Sequence, residues 1–473
     1  MGVKAVVAAI ALALAVTAPG AFARTVRGSV RFIDHHCYAD TVERWAPLTG
    51  AEVVLHRGKG RPVRTRLDHE GKFKAKVRGH GPLLGRLVFT GPRIKVVPSS
   101  EGAPQALHLA GLRSAGPNHF SLRSESQAGL AHLWTEANRA AHFAAKAAPV
   151  DPGQVTYVWA YGRSGRKRDD LHGSGTTGRT VYMNGGDSGR HEWEAFVIAH
   201  EYGHVVLAAN ASPGEAGGEH QANLSYPEYP ALGWSEGFAN AYASLVARSP
   251  SLTVGCEEVA NYSVTPPRPA LKTPRYAQSN ETAVAAATLL LVDRFGGGAE
   301  GLHKLLATLR NGKVDGHFAH SMWEVREALI ASGVEHNAKQ HREFDDLFAS
   351  VGMGWGEGIA VDVSDDRREG MGARSRLHLL LSGPYGSCEV TDESQSTVGT
   401  PWPTAPEGRL YGAVVAGALD YTYLDDCVMQ GGPNSIPPDG GETHVPFTSF
   451  LGGVLSLPFP YPAQSGGDDS YTL

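Results

Sequence analysis

Apolar and polar residues follow two rhythms along this chain, and the change of rhythm predicts its division into parts. From position 27 to about 113 they alternate in short runs, as at 28–33, 50–55 and 72–77, broken by turn residues such as Asp68-His69-Glu70-Gly71. A period of two puts successive side chains on opposite faces, so these runs predict half-buried strands packed as a β-sandwich. Near Ser124 the period lengthens: Leu130, Leu133, Ala137, Ala140, Ala141 and Phe143 recur at helical spacing. Pro149 and Pro152 end that helix. Strands are expected at 155–160 and 180–183, and helices at 191–209, 235–248, 280–295, 303–310, 321–331 and 341–350. Beyond Gly352, glycine, serine and proline return around apolar runs at 377–381, 410–415 and 445–455, which predicts a β-rich appendage. The expected fold class is multidomain: a β-sandwich module over 24–113, a mainly helical α+β domain over 114–355, and a β-rich region and tail over 356–473.

Composition bears on compartment and partners. Residues 1–23 carry Lys4, an apolar run from Ala5 to Val16 and then Ala21-Phe22-Ala23. This is the pattern of a signal peptide cleaved after Ala23, so a secreted or periplasmic protein is expected. The apolar run is too short to span about 30 Å of hydrocarbon at 1.5 Å per residue, and no membrane insertion is expected. With 43 Lys and Arg against 48 Asp and Glu, the formal charge is -5. That balance gives no basic field of the kind that nucleic acid or an anionic membrane requires, so neither is an expected partner. Cys37, Cys256, Cys388 and Cys427 form no CxxC pair, and in an oxidising compartment disulfides are the default. Cys388 and Cys427, in the same C-terminal segment, are the favoured pair, leaving Cys37 to Cys256, although sequence leaves all three pairings open. Nothing in the composition sets the oligomeric state.

The segment His200-Glu201-Tyr202-Gly203-His204 matches H-E-x-x-H. On an α-helix, residues four apart lie nearly one above the other, so both imidazoles can reach one metal ion while Glu201 points beside it. Trp193, Phe196, Val197, His200 and His204 fall on one stripe, which predicts that the face bearing the histidines is buried. Gly233-Trp234-Ser235-Glu236-Gly237-Phe238-Ala239-Asn240 begins 29 residues after His204 and offers the Glu236 carboxylate near the start of the next helix. A zinc ion that hydrolyses peptides takes three protein ligands and keeps one position open, and two histidines with a glutamate are an established set. One Zn2+ held by His200, His204 and Glu236 is therefore the expected cofactor, with Glu201 as the general base that activates its water.

The pairing of His-Glu-Tyr-Gly-His with Trp-Ser-Glu-Gly-Phe-Ala resembles the gluzincin metallopeptidases, which include the thermolysin-like enzymes and the zinc aminopeptidases. The resemblance covers roughly 125–350. It implies a zincin-like catalytic domain acting on peptide or protein substrates. It also implies that Asn240, four residues past Glu236, holds the first metal histidine, at a position where thermolysin-like enzymes carry Asp. The Gly-x-Met-Glu-Asn segment with which aminopeptidases bind a substrate's amino terminus is not found, so an endopeptidase is expected rather than an aminopeptidase. Candidate donors to the oxyanion are His317, His320, Tyr262 and Tyr276. The first module is similar to the carboxypeptidase regulatory domain, in which a Gly-Ala-x-Val-x-Leu strand precedes an Asp-x-x-Gly-x-Phe hairpin, and a supporting role is expected for it.

Two other readings compete. A non-enzymatic surface or adhesion protein on a peptidase-like scaffold would have lost a ligand or Glu201, and this chain keeps them all. Alternatively, the histidines are packed core residues satisfied by hydrogen bonds, in which case Glu236 would lie far from them. His35-His36-Cys37 reads as a surface turn, because successive strand side chains point to opposite faces. Glu194 is expected in the first turn of the metal helix, where a carboxylate meets the helix dipole favourably. Pocket shape, and so cleavage specificity, is not encoded in these motifs.

Overall fold

Alternation shapes the first part of the chain into β1 (Arg24–Asp34), β2 (Arg44–Pro47), β3 (Glu52–Arg57), β4 (Val63–Arg66), β5 (Lys72–Val77), β6 (Leu83–Val88), β7 (Ile94–Val97), β8 (Ala106–His108) and β9 (Pro117–Leu122). The computed structural model describes residues 23–35, 43–163, 174–185, 190–211, 230–249, 251–254, 257–261, 280–313, 316, 318–351 and 353, together with eight strands between 358 and 472. In β5 the reason for the strand is plain: Phe73, Ala75 and Val77 point into the core while Lys72, Lys74 and Lys76 point to solvent. The turn before it is held by Asp68, whose carboxylate accepts from the main-chain N–H groups of Glu70 and Lys72 at 2.9 and 2.8 Å. Those bonds hold the Asp68 carboxyl below the usual range. Gly71 closes the turn at φ +71°, where a side chain would also meet the Val30 carbonyl.

Two four-stranded sheets result. One has β1 between β9 and the pair β2 and β5, and the other runs β4-β3-β6-β8. Their inward residues, among them Val30, Phe32, Val53, Leu55, Phe73 and Leu87, share one core. The boundary expected at 113 is not where the sheets end. β9 lies beyond it and pairs with β1 in parallel, fastened by buried Asn118, whose amide donates to the Arg27 carbonyl at 2.8 Å. β7, conversely, leaves the module and pairs in parallel with β10 (Val155–Val158).

Helix α1 (Glu125–Ala147) follows β9, and β11 (Gly175–Thr177) and β12 (Thr180–Tyr182) complete a sheet ordered β11-β12-β10-β7. The fold beyond is helical: α2 (Ala195–Asn210), α3 (Pro230–Ala247), α4 (Glu281–Arg294), α5 (Gly298–Asn311), α6 (Met322–Ala331) and α7 (Ala338–Ala349), with a hairpin of β13 (Ser251–Val254) and β14 (Glu257–Asn261) between α3 and α4. Side-chain caps explain three of the starts, with Asn280, Ser321 and Asn337 accepting from the first turns of α4, α6 and α7. The core is continuous with that of the β module. Trp134 of α1 donates its indole N–H to the Thr49 carbonyl at 2.8 Å and meets Phe89 edge to face.

Two helix boundaries differ from expectation. The helix expected at 191–209 is broken, because His191–Trp193 form a 3-10 turn and Glu194 stands between it and α2 at φ −102°, ψ 91°. Glu194 is therefore outside the helix it was expected to open. Trp193 leaves the histidine stripe and packs with Ile33 and Ala128. α3 starts at Pro230 rather than near Ser235, which puts Glu236 in its second turn. Proline suits that first position, since its missing N–H has no partner there in any helix.

The C-terminal region forms a six-stranded antiparallel sheet. Its strands are β15 (Gly358–Asp365), β16 (Arg374–Gly383), β17 (Gly386–Gln395), β18 (Gly408–Val415), β19 (Ala418–Tyr423) and β20 (Gly441–Pro446), in the order β17-β16-β15-β18-β19-β20. β21 (Ser456–Pro458) and β22 (Ser470–Thr472) pair separately. The apolar runs at 377–381 and 410–415 fall inside β16 and β18, whereas 447–455 lies outside the described residues. The molecule is thus mixed α and β, and no helix among the described residues is long and apolar enough to cross a membrane.

Candidate metal centre

The site is built where α2 crosses α3. Gly203 lets the two helices approach: a Cβ there would lie 2.9 Å from the Ala239 Cα and 3.1 Å from the Tyr242 Cβ. Gly237 does the same for α3 against α4, where a Cβ would lie 2.5 Å from a Val284 methyl. Both glycines adjoin site residues, so close helix packing is what carries Glu236 to the histidines. The position of α2 is further fixed by buried Tyr157, whose hydroxyl donates to the Ile198 carbonyl at 3.0 Å.

Three atoms converge. His200 Nε2 lies 3.1 Å from His204 Nε2, and Glu236 Oε2 lies 3.0 Å from the first and 3.3 Å from the second. A tetrahedral ion with ligands at about 2.0–2.1 Å would have ligand-to-ligand edges of roughly 3.3 Å, so these separations suit one face of such a shell. The outer nitrogens sharpen the case. His200 Nδ1 faces Asn240 Oδ1 at 2.8 Å, and His204 Nδ1 faces Ser235 Oγ at 3.1 Å. With Nδ1–H donating outward, each Nε2 presents a lone pair inward, toward the other and toward a carboxylate oxygen. A proton or a metal ion shared among these atoms makes such an arrangement attractive. His200, Glu236 and Asn240 are buried, which strengthens that attraction. The group formed by His200, His204 and Glu236 can hold a metal ion.

Glu201 is also buried, and Thr176 of β11 determines how it is held. The Thr176 hydroxyl lies 2.7 Å from Glu201 Oε2, to which it donates, and 3.0 Å from the Glu201 carbonyl. β11 is the last strand of its sheet among the described residues.

Of the expected site residues, His200, Glu201, His204, Glu236 and Asn240 are therefore brought together. His320 is engaged with Glu324: its main-chain N–H donates to that carboxylate at 2.6 Å, and its ring nitrogen lies 3.7 Å away. His317, Tyr262 and Tyr276 lie outside the described residues, as do His36, Cys37, Cys256 and Cys427. Thr176 and Ser235 were not foreseen as partners of Glu201 and His204. Ser235 stands next to Glu236 in the chain, a hint at its place, whereas the Gly-Thr-Thr-Gly stretch around Thr176 carries no such signal.

A further buried carboxyl stands just ahead of α2. Glu192 receives the Trp159 indole N–H at 3.4 Å on one oxygen, and its other oxygen has no partner among the described residues. Burial pushes its carboxyl up to about 7, with the charge of Glu194 adding to the effect and that of Arg190 opposing it.

No family model matches the chain, and no curated protein matches it. Among solved structures, the crystal structure of the major plantain pollen allergen Pla l 1 is similar at 19% identity, covering 22% of this chain and 95% of that one, with a TM-score of 0.15. A likeness of that size bears on neither the fold nor the site.

Proposed function

We propose that the chain is an exported zinc peptidase of the gluzincin type, with a zincin-like catalytic domain and endopeptidase action. The observation that carries this reading is the convergence of two imidazole Nε2 atoms and one carboxylate oxygen within 3.3 Å, with the buried Glu201 carboxylate on the same helix as the imidazoles. His200, His204 and Glu236 would hold the ion, and the donor set of two nitrogens and one oxygen fits zinc. When bound, zinc supplies Lewis acidity and brings a water within reach of deprotonation near neutral pH.

The chain's own residues do the rest. Glu201, one residue beyond His200, takes the proton as general base and returns it to the departing amine. Thr176 pins one oxygen of that carboxylate, leaving the other to face the reacting water. Asn240 and Ser235 fix the ring tautomers and orientations; both are neutral acceptors and give the rings less basicity than a carboxylate would. Among the described residues β11 is an edge strand, with which an extended peptide could pair, and this supports a peptide substrate over a small molecule. Export is supported by the pattern of residues 1–23.

The test is metal content and hydrolysis of a general peptide substrate by the wild type and Glu201→Gln. The expected result is one zinc per chain in both and a loss of about 10³-fold in kcat for the variant. Hydrolysis by Glu201→Gln at the wild-type rate would remove Glu201 from the mechanism, and a wild type that retains no metal would end the proposal.

A further inference from the structure

The chain's charge is not spread evenly. Between Arg24 and Arg123 there are 18 Lys and Arg against 7 Asp and Glu, a surplus of eleven positive charges within a chain whose total is -5. The strand register gathers part of this surplus on the outer face of the β1 sheet. Arg27 stands directly opposite Lys74, Thr25 opposite Lys76, and Ser29 between Lys72 and His119. All four cations are exposed, and all lie on the side away from the core. Neighbouring strands lie about 4.8 Å apart and alternate residues about 6.7 Å apart, so the cations form a close grid.

Like charges placed directly across strands destabilise a sheet. Here Lys72 is answered by Glu70 at 2.5 Å, but Arg27, Lys74 and Lys76 make no ion pair among the described residues. A fold that tolerates this opposition keeps the face available to an outside anion. Three features decide which kind. The residues between the cations, Thr25, Ser29 and Ser121, are small and leave the longer basic side chains standing above them. Trp45, the aromatic ring at the edge of the face, is covered by Arg31 at 4.5 Å and Arg123 at 5.1 Å, so it offers no free platform for stacking bases or sugars. The outward positions of β5 are all lysine and carry nothing apolar to insert.

We infer that this face docks the protein, by charge alone and without insertion, on a membrane surface rich in anionic lipid. Each Lys or Arg brought near such a surface strengthens binding by roughly fivefold. The inference stands apart from the metal site, and its test needs no activity.

The experiment is co-sedimentation of the full chain with vesicles of phosphatidylglycerol and phosphatidylcholine in equal parts, and with phosphatidylcholine alone. Binding is expected only to the first, weakening steeply as salt rises from 0.05 to 0.5 M, a range over which the screening length falls from about 14 to about 4 Å. Arg27→Glu/Lys74→Glu/Lys76→Glu should lower the partition by more than about 100-fold. The neutral set Arg27→Gln/Lys74→Gln/Lys76→Gln, less demanding on folding, should lose an intermediate amount. Lys304→Glu/Lys339→Glu/Arg342→Glu, the same charge change on exposed helical positions, should bind far better than the first set. Equal losses in the two glutamate sets, equal binding to both vesicle types, or no binding at low salt would overturn the proposal. So would retention on an acidic polysaccharide at salt concentrations that strip the protein from vesicles, since the face would then serve a polymer.

Discussion

The β module and the helical block treat polar side chains in opposite ways. Among the described residues before Arg123, the buried polar ones are Glu52 and Asn118, while beyond it His132, Glu192, His200, Glu201, Glu236 and Asn240 are all inside. In the module, nearly all charge stays on the outer faces, where some of it is satisfied locally, as where Asp68 ties its own turn. In the helical block, carboxylates and imidazoles are taken out of water, which costs free energy unless each finds a partner. The difference teaches where to look for chemistry. Groups buried at a cost in stability are the first candidates for chemistry, and in this chain they lie within the helical block, while the module's charged groups lie mostly on its surface.

The largest way to break this contrast is to remove an ion from the buried cluster that could hold one. Chelation should destabilise the protein by about 4 kcal/mol when compared with zinc at a thousandfold its Kd, measured by denaturant unfolding. His204→Ala should show the lower stability whether or not zinc is added. A wild type whose unfolding ignores both zinc and chelator would mean that the cluster holds no ion.

Next in size is Glu192. Its carboxyl lies near 7 in the folded chain against 4.5 ordinarily, so between these values the folded state keeps a proton that the unfolded state has released. Its contribution to stability is full below pH 4.5, falls as pH rises through 7, and is level above. The span is of order 3 kcal/mol. Glu192→Gln should flatten that slope in unfolding measurements between pH 4.5 and 8. An unchanged slope would place the titration elsewhere.

Thr176→Val should lower kcat by about tenfold while leaving KM and zinc content unchanged, because the base loses its anchor and the ligands do not. Equal losses in zinc content and rate would make Thr176 a support of the fold instead. The smallest effect is expected on the module's surface. Lys74→Thr removes a like charge facing Arg27 and should raise stability by a few tenths of a kcal/mol at low salt, an increment that disappears at 1 M salt.

Much of the fold was legible because the patterns concerned were local. The strand at 72–77 and the helices beginning at Glu281 and Met322 were readable from alternation and helical spacing within a few positions. The spacing of His200 and His204 was readable for the same reason, since one helical turn sets it. The break at Glu194 was not, because an unbroken apolar stripe runs from Trp193 into α2, and only packing against Ile33 and Ala128 turns Trp193 away. The basic face was hidden as well. The chain-wide sum of -5 averages a strongly basic first part with an acidic remainder.

Residue order by itself determined the periods, the turns and the pair of imidazoles one turn apart, since each depends on neighbours within about four positions along the backbone. Tertiary structure decided which distant groups meet them. It brought Glu236 to the histidines through close packing at Gly203 and Gly237, set Thr176 from a separate sheet against Glu201, and aligned Arg27 with Lys74. Contacts of that kind depend on helix separation and strand register, which many parts of the core fix together and no short stretch of sequence specifies.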